Sequence, residues 1–223
     1  MRFHPDKLLL QQYAQGDVDA TQGLALAVHL ESCPECHQQV VRFERQLGAK
    51  LEHQAMKPSD DLPSEDMLSQ ILTLPQKSRE ELLVPSKPHQ VTVNSRRFTL
   101  PKALYPFRDR IGDWRNYGGK VFSAVIDLEE EARVNLMYMA PGVSVPQHTH
   151  KGYESTLVLH GGFSDEDGHY RAGDFLLKDA SVKHSPTTPQ DEDCLCLSVL
   201  TEPMLFTQGV ARIFNMFGKG LYP

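Results

Sequence analysis

Apolar positions recur at helical spacing along the first third of the chain, and beyond about residue 90 they gather into short alternating or continuous runs. Leu8, Leu9 and Tyr13 mark a first helix, entered at Pro5 and stopped near Gly16. Leu24, Ala27, Val28 and Leu30 stripe a second over roughly Ala20 to Glu31. Ser32-Cys33-Pro34-Glu35 restarts the chain, because Ser32 or Cys33 can cap and Pro34 is tolerated in a first turn. Val40, Val41, Phe43 and Leu47 then define a third helix. Ser64-Glu65-Asp66 opens a short fourth helix, whose Met67, Leu68, Ile71 and Leu72 share one face before Pro75. Beyond a Pro-, Ser-, Lys- and Glu-rich stretch, β-rich runs fall at 91–93, 121–126, 134–139, 155–159 and 194–200, punctuated by Gly, Pro, Asn and Asp. The pattern predicts a helical domain at 1–74, a linker at 75–89 and a β-sandwich or barrel domain at 90–223.

Composition narrows the function classes. The chain has 223 residues, 40% of them hydrophobic, and a formal charge of −6, so it can bury a core but lacks the cationic surplus that phosphate binding needs. Direct nucleic-acid binding is therefore not expected, and a basic protein partner suits the charge better. No run approaches the roughly 18 apolar residues of a membrane span, and Leu8-Leu9-Leu10 is too short for a signal-peptide core, so a cytoplasmic protein is expected. The four cysteines form two close pairs, Cys33/Cys36 and Cys194/Cys196, a spacing that speaks for metal or redox chemistry rather than structural disulfides.

His29-x3-Cys33-x2-Cys36 brings three soft or borderline ligands to one helix–helix corner. Structural zinc takes four such ligands in a closed tetrahedron. His4, just before the first helix, is the best placed fourth donor; His37 competes, but its adjacency to Cys36 makes joint ligation awkward. A helical domain this small gains from a metal cross-link. The plain alternative is a buried or redox-active cysteine pair beside a surface histidine. The segment His29-Leu30-Glu31-Ser32-Cys33-Pro34-Glu35-Cys36 resembles the zinc-binding anti-sigma family, in which four helices wrap a sigma factor and keep it from RNA polymerase. The resemblance covers residues 1–74 and implies His4, His29, Cys33 and Cys36 as Zn2+ ligands.

Gly142-x5-His148-x-His150-x3-Glu154-x6-Gly161 is the second constellation. Alternate residues of a strand share a face, so His148 and His150 point together, and Glu154 can join them after a turn at Lys151-Gly152-Tyr153. His184 follows a strand begun at Gly173-Asp174-Phe175. Three imidazoles and one carboxylate suit zinc, iron, manganese or nickel. The spacing resembles a cupin β-barrel over about 90–205, with Asp179 standing where that family's second motif has proline and Ser181 where it has glycine. The implied ligands of Zn2+ or another divalent transition metal are His148, His150, Glu154 and His184. His53, His89, His160 and His169 lack convergent partners. Cys194 and Cys196 alternate along a strand and face one side, and Trp114, Tyr117 and Phe122 are expected to pack the barrel. The 213–217 segment could cover a barrel edge or dock on a partner.

The order of the two constellations, zinc-helical domain then cupin, is similar to the ChrR group of anti-sigma factors. That resemblance implies a multidomain α and β protein, with a four-helix zinc-binding anti-sigma domain and a C-terminal cupin β-barrel of the double-stranded β-helix type. It implies a 1:1 complex with an extracytoplasmic-function-type sigma factor, release on a singlet-oxygen-like oxidative signal, and no catalytic residues. The alternative expectation is a metal-dependent, dioxygenase-like cupin enzyme with an accessory zinc domain.

Overall fold

A computed structural model describes residues 1–53, 64–75 and 88–209, together with Arg212 and Asn215. Most of the expected linker and of the 213–217 segment lies outside the described residues. The chain divides into one compact unit of residues 1–44 and 88–223 and a second of residues 45–87.

Four α-helices run Lys7–Gln15 (α1), Ala20–Ser32 (α2), Pro34–Glu52 (α3) and Glu65–Thr73 (α4). Side chains set their ends. Asp6 accepts from the Leu9 N–H to start α1, and Gly16 closes it in the left-handed region at φ 77°. Asp19 caps α2 by accepting from the Thr21 and Gln22 N–H groups. Cys33, extended at φ −114°, separates α2 from α3, and Pro34 occupies the first position of α3, where its missing N–H costs nothing. Within the second unit, Ser64 caps α4, and every residue of α4 is exposed, including the apolar Met67, Leu68, Ile71 and Leu72.

The β region comprises β1 (Gln90–Val93), β2 (Arg96–Thr99), β3 (Arg115–Tyr117), β4 (Val121–Ile126), β5 (Arg133–Met139), β6 (His148–His150), β7 (Glu154–Ser164), β8 (His169–Arg171), β9 (Phe175–Lys178), β10 (Cys194–Leu200) and β11 (Met204–Phe206), with a 3₁₀ helix at Lys102–Arg110. The main sheet is antiparallel in the order β3-β4-β5-β10-β7-β8, and β9 also pairs with β7. Outside its ladders lie the β6–β11 pair and the isolated bridges Ser144–Thr187, His148–His184 and Ser164–Thr187, the last reaching back to the end of β7. The result is a cupin-like β domain whose barrel is not closed by one continuous ladder.

All seven residues of β10 are buried. One face, Leu195, Leu197 and Val199, shares a core with Leu24, Ala25, Leu26 and Val28 of α2; Cys196 and Ser198, on the other, line the barrel cavity. This two-sided burial explains why the strand reads as a nearly unbroken apolar run. Polar contacts pin the same seam. Ser155 Oγ donates to Gln22 Oε1 at 2.9 Å, and the Glu31 carboxylate accepts from the Lys102 and Ala103 N–H groups, capping the 3₁₀ helix. The amino-terminal arm lies along the β domain: the Arg2 and Phe3 N–H groups donate to Asp174 Oδ1, and the Phe175 N–H donates to the Phe3 carbonyl.

Gly161 shows how tightly β7 and β10 approach. It sits at φ +64°, and a Cβ there would collide with the Asp193 carbonyl oxygen. Gly118, at φ +66°, has nothing within 4 Å of the same position. Gly118→Ala should therefore cost about 1–2 kcal/mol from the left-handed backbone alone. Gly161→Ala should add about 1–3 kcal/mol of overpacking to that. Denaturant unfolding of the two variants checks this, and equal losses would contradict the close approach.

Candidate metal centres

The last turn of α2, the α2–α3 junction, the first turn of α3 and the amino-terminal arm converge on one point. His29, Cys33, Cys36 and His4 come from these four places, and one ligand atom of each lies within 4.8 Å of the others. His4 Nδ1 is 3.4 Å from Cys33 Sγ and 3.3 Å from Cys36 Sγ. Two donors on one tetrahedral zinc stand about 3.3–3.8 Å apart when the bonds are near 2.0–2.3 Å, so these separations suit a shared ion. His29 is fully buried; its Nδ1 is 3.0 Å from the Gly173 carbonyl, while its Nε2 has no hydrogen-bond partner among the described residues. An imidazole held through one nitrogen, with the other bare and turned to thiols, is the arrangement of a metal ligand. Burial lowers the His29 pKa to about 4, so the ring is neutral and its lone pair free. Burial, and then the neighbouring Cys33, push the Cys36 thiol up to about 12; a divalent cation would reverse that by stabilising thiolate. His37 is exposed and stands outside the group.

His148 and His150 point inward from β6, Glu154 opens β7, and His184 is bridged to His148 through both backbones. All four are buried, and one ligand atom of each lies within 4.8 Å of the others. His150 Nε2 is 2.9 Å from Glu154 Oε2, His184 Nε2 is 3.6 Å from the same oxygen, and the two Nε2 atoms are 3.4 Å apart. A surrounding layer orients them: His148 Nδ1 meets the Pro146 carbonyl at 2.9 Å, His184 Nδ1 meets Asp165 Oδ2 at 3.1 Å, and Ser198 Oγ donates to Glu154 Oε1. Nitrogens so committed leave Nε2 for an ion. Burial alone would raise the Glu154 pKa, yet His150 and His184 hold it well below its usual range. Burial lowers His148 to about 4. For His184, burial pulls downward but is outweighed by Asp165 and Glu154, leaving it at about 9.

Motif spacing does not single out Asp165. It is a buried hub: Oδ2 faces His184 Nδ1 and, at 2.9 Å, Lys178 Nζ, and Oδ1 accepts from the Tyr170 hydroxyl and the Asp167 and Gly168 N–H groups. Tyr170 in turn meets the Phe3 ring edge-on at a centroid distance of 4.9 Å. A run of contacts thus joins His184, through Asp165 and Tyr170, to the arm that carries His4. At the turn before β9, Gly173 touches His29 directly. The Asp165-Glu166-Asp167-Gly168 turn was the available signal, since an Asp two and three residues ahead of N–H donors forms an Asx turn.

The remaining candidates separate cleanly. His160 meets the Phe98 ring edge-on and lies 3.4 Å from the buried Asp193; His53 and His169 are exposed and His89 is half-buried. Cys194 and Cys196 are buried and unbridged, with Sγ atoms 3.4 Å apart, and the Cys194 thiol is raised by Cys196 and by burial. Trp114 and Phe122 pack against the core, while Tyr117 lines the barrel cavity.

The two kinds of buried histidine impose opposite pH dependences on the metal-free protein. Neutral His29 and His148 contribute stability fully present above pH 6.5 and lost as pH falls through about 4. Protonated His184 contributes stability fully present below pH 6.5 and lost as pH rises through about 9. In metal-free protein the His184 ring should therefore titrate near 9 by NMR, and well below that in Asp165→Asn. An unmoved midpoint in the variant would contradict the role given to Asp165.

Comparisons with known proteins agree with this geometry. Residues 112–203 match the family described as the ChrR Cupin-like domain. The chain is 28% identical to the anti-sigma-E factor ChrR of Cereibacter sphaeroides over 97% of its own length and 98% of that protein's. It superposes with a TM-score of 0.70 on the crystal structure of Rhodobacter sphaeroides SigE in complex with the anti-sigma ChrR, at 28% identity, covering 89% of this chain and 98% of that one. Among the described residues no helix is long and apolar enough to cross a membrane. The chain thus resembles ChrR over nearly its whole length, and its residues 112–203 match the ChrR cupin-like domain.

Proposed function

We propose that this protein is a cytoplasmic anti-sigma factor that binds an extracytoplasmic-function-type sigma factor 1:1 and releases it on an oxidative, singlet-oxygen-like signal registered by the cupin domain. The observation that carries this reading is the near-full-length similarity to ChrR combined with both converged donor groups. The role is regulatory rather than catalytic.

Zn2+ at His4, His29, Cys33 and Cys36 would tie the arm to the α2–α3 corner, so that ion binding becomes folding free energy of this small helical region. Zn2+ or another divalent transition metal at His148, His150, Glu154 and His184 would supply Lewis acidity or redox sensitivity. The protein's own side chains do the rest. Asp165 holds His184 and, through Tyr170, the arm; Asp174 and Gly173 hold Arg2, Phe3 and His29. A shift of His184 would loosen the hydrogen bonds of Asp165 and hence the seat of the arm.

The docking surface for sigma includes α4. Its Met67, Leu68, Ile71 and Leu72 are 52–72% exposed on one face, the pattern of a helix laid into a partner's groove.

Three variants test the reading by in vitro transcription with the cognate sigma factor. Ile71→Asp with Leu72→Asp should weaken the complex by about 2 kcal/mol or more, the scale of interface hot spots. Cys33→Ser with Cys36→Ser should abolish inhibition. His148→Ala with Glu154→Ala should retain inhibition and lose the oxidative response. Retained inhibition by the cysteine variant, or a normal response from the cupin variant, would contradict the proposed division of labour.

A further inference from the structure

Sulfur gathers on the inner face of the main sheet. Cys194 and Cys196 alternate along β10, and Met137 and Met139 alternate along β5, so each pair shares a face. The β5–β10 register sets Met139 directly opposite Cys194 and Met137 directly opposite Cys196. Side chains paired in this way have Cβ atoms about 4.5–5.5 Å apart, which puts each thioether within reach of the thiol it faces. Cys196, Met137 and Met139 line the barrel cavity, and Cys194 is fully buried. The four sulfurs form a two-by-two patch that shares no residue with either donor group described above.

The two thiols lean together. Alternate residues of a strand stand about 6.6 Å apart along it, twice the rise of one residue, yet the two Sγ atoms are 3.4 Å apart. The β7–β10 ladder slips register between Leu195 and Cys196, inside this Cys-x-Cys segment. Such an irregularity bends a strand and re-aims its side chains. At roughly the 2.3 Å of a metal–thiolate bond, sulfurs 3.4 Å apart subtend about 95° at a shared ion, which leaves its far side open to the thioethers across the ladder.

Donor type selects the ion. Zinc is held by thiolate, imidazole and carboxylate, whereas a set that mixes thiolate with thioether selects Cu(I). Burial sets the proton count, because an unbalanced charge is costly away from water. A monovalent ion that displaces one thiol proton to solvent leaves the patch neutral. The cavity supplies a path inward, since exposed Lys120 in the β3–β4 turn also lines it. We infer that Cys194, Cys196, Met137 and Met139 form a site for one Cu(I) ion. The inference is independent of the anti-sigma reading and of any ion at the two donor groups described above.

The test is anaerobic titration of the reduced, full-length protein, purified under zinc-replete conditions, with Cu(I) in competition with the chromophoric chelator bicinchoninate. Copper-edge X-ray absorption and zinc analysis follow on the complex with one equivalent. The chain should take one Cu(I) ion from the chelator, with only sulfur around the copper and an unchanged zinc content. Cys194→Ala with Cys196→Ala should weaken that uptake at least about a hundredfold. Met137→Leu with Met139→Leu, a swap that conserves volume, should weaken it at least about tenfold with the melting temperature near wild type. Failure to compete with the chelator, nitrogen or oxygen in the copper shell, or undiminished affinity in either variant would overturn the inference. So would loss of zinc on adding copper, which would put the ion at Cys33 and Cys36 instead. The X-ray and zinc readouts need no variant, so they decide the matter even if an altered core does not fold.

Discussion

Buried lone pairs that converge on one point are the constraint from which the rest of the molecule follows. Twice among the described residues, four donor side chains are packed so that their ligand atoms lie within 4.8 Å of one another. Removing such groups from water is costly unless each finds a partner. The backbone and side chains supply outward partners for four of the donors, the Gly173 carbonyl for His29, the Pro146 carbonyl for His148, Asp165 for His184 and Ser198 for Glu154, while His150 Nδ1 has none among the described residues. Inward, a shared cation would satisfy all four at once. The polar framework is already spent on orientation, and what remains is chemistry suited to an ion.

The same framework binds helices to β domain. The α2 core is also the outer core of β10, and the amino-terminal arm lies against Asp174 and Phe175. The β7–β9 region is therefore common to both donor groups, with Asp165 facing one and Gly173 the other. Under the proposed function, moving a sigma factor from almost wholly bound to almost wholly free would need about 5.5 kcal/mol of differential stabilisation. Loss of a structural ion, were one bound, together with the hydrogen bonds that seat the arm, would be enough to supply it.

Much of this was legible in the sequence, because the signals were periodic or strictly spaced. The four helices follow from their apolar stripes and caps, and α4 falls at Glu65–Thr73 as its Ser64 cap predicts. The five β-rich runs all fall on strands, and the cupin architecture follows from motif spacing that survives Asp179 and Ser181 in place of the usual proline and glycine. Less was legible where partners are distant in sequence. Nothing local shows that Gly173 will meet His29, 144 residues away, or that Asp165 will sit behind His184. Short strands such as β6 and β11, three residues each, carry too few positions for a period to show. The uniform burial of β10 hid which of its faces meets α2, since a strand buried on both sides has no polar face to mark its orientation.

The central claim is that each converged group holds an ion, and native mass spectrometry of the intact chain tests it most directly. The account predicts two divalent ions per chain, with one mass increment lost from a variant of His29 and Cys33 and the other lost from a variant of His150 and His184. A chain purified under metal-replete conditions that carries no transition metal, or whose metal content is unchanged by both variants, would contradict it.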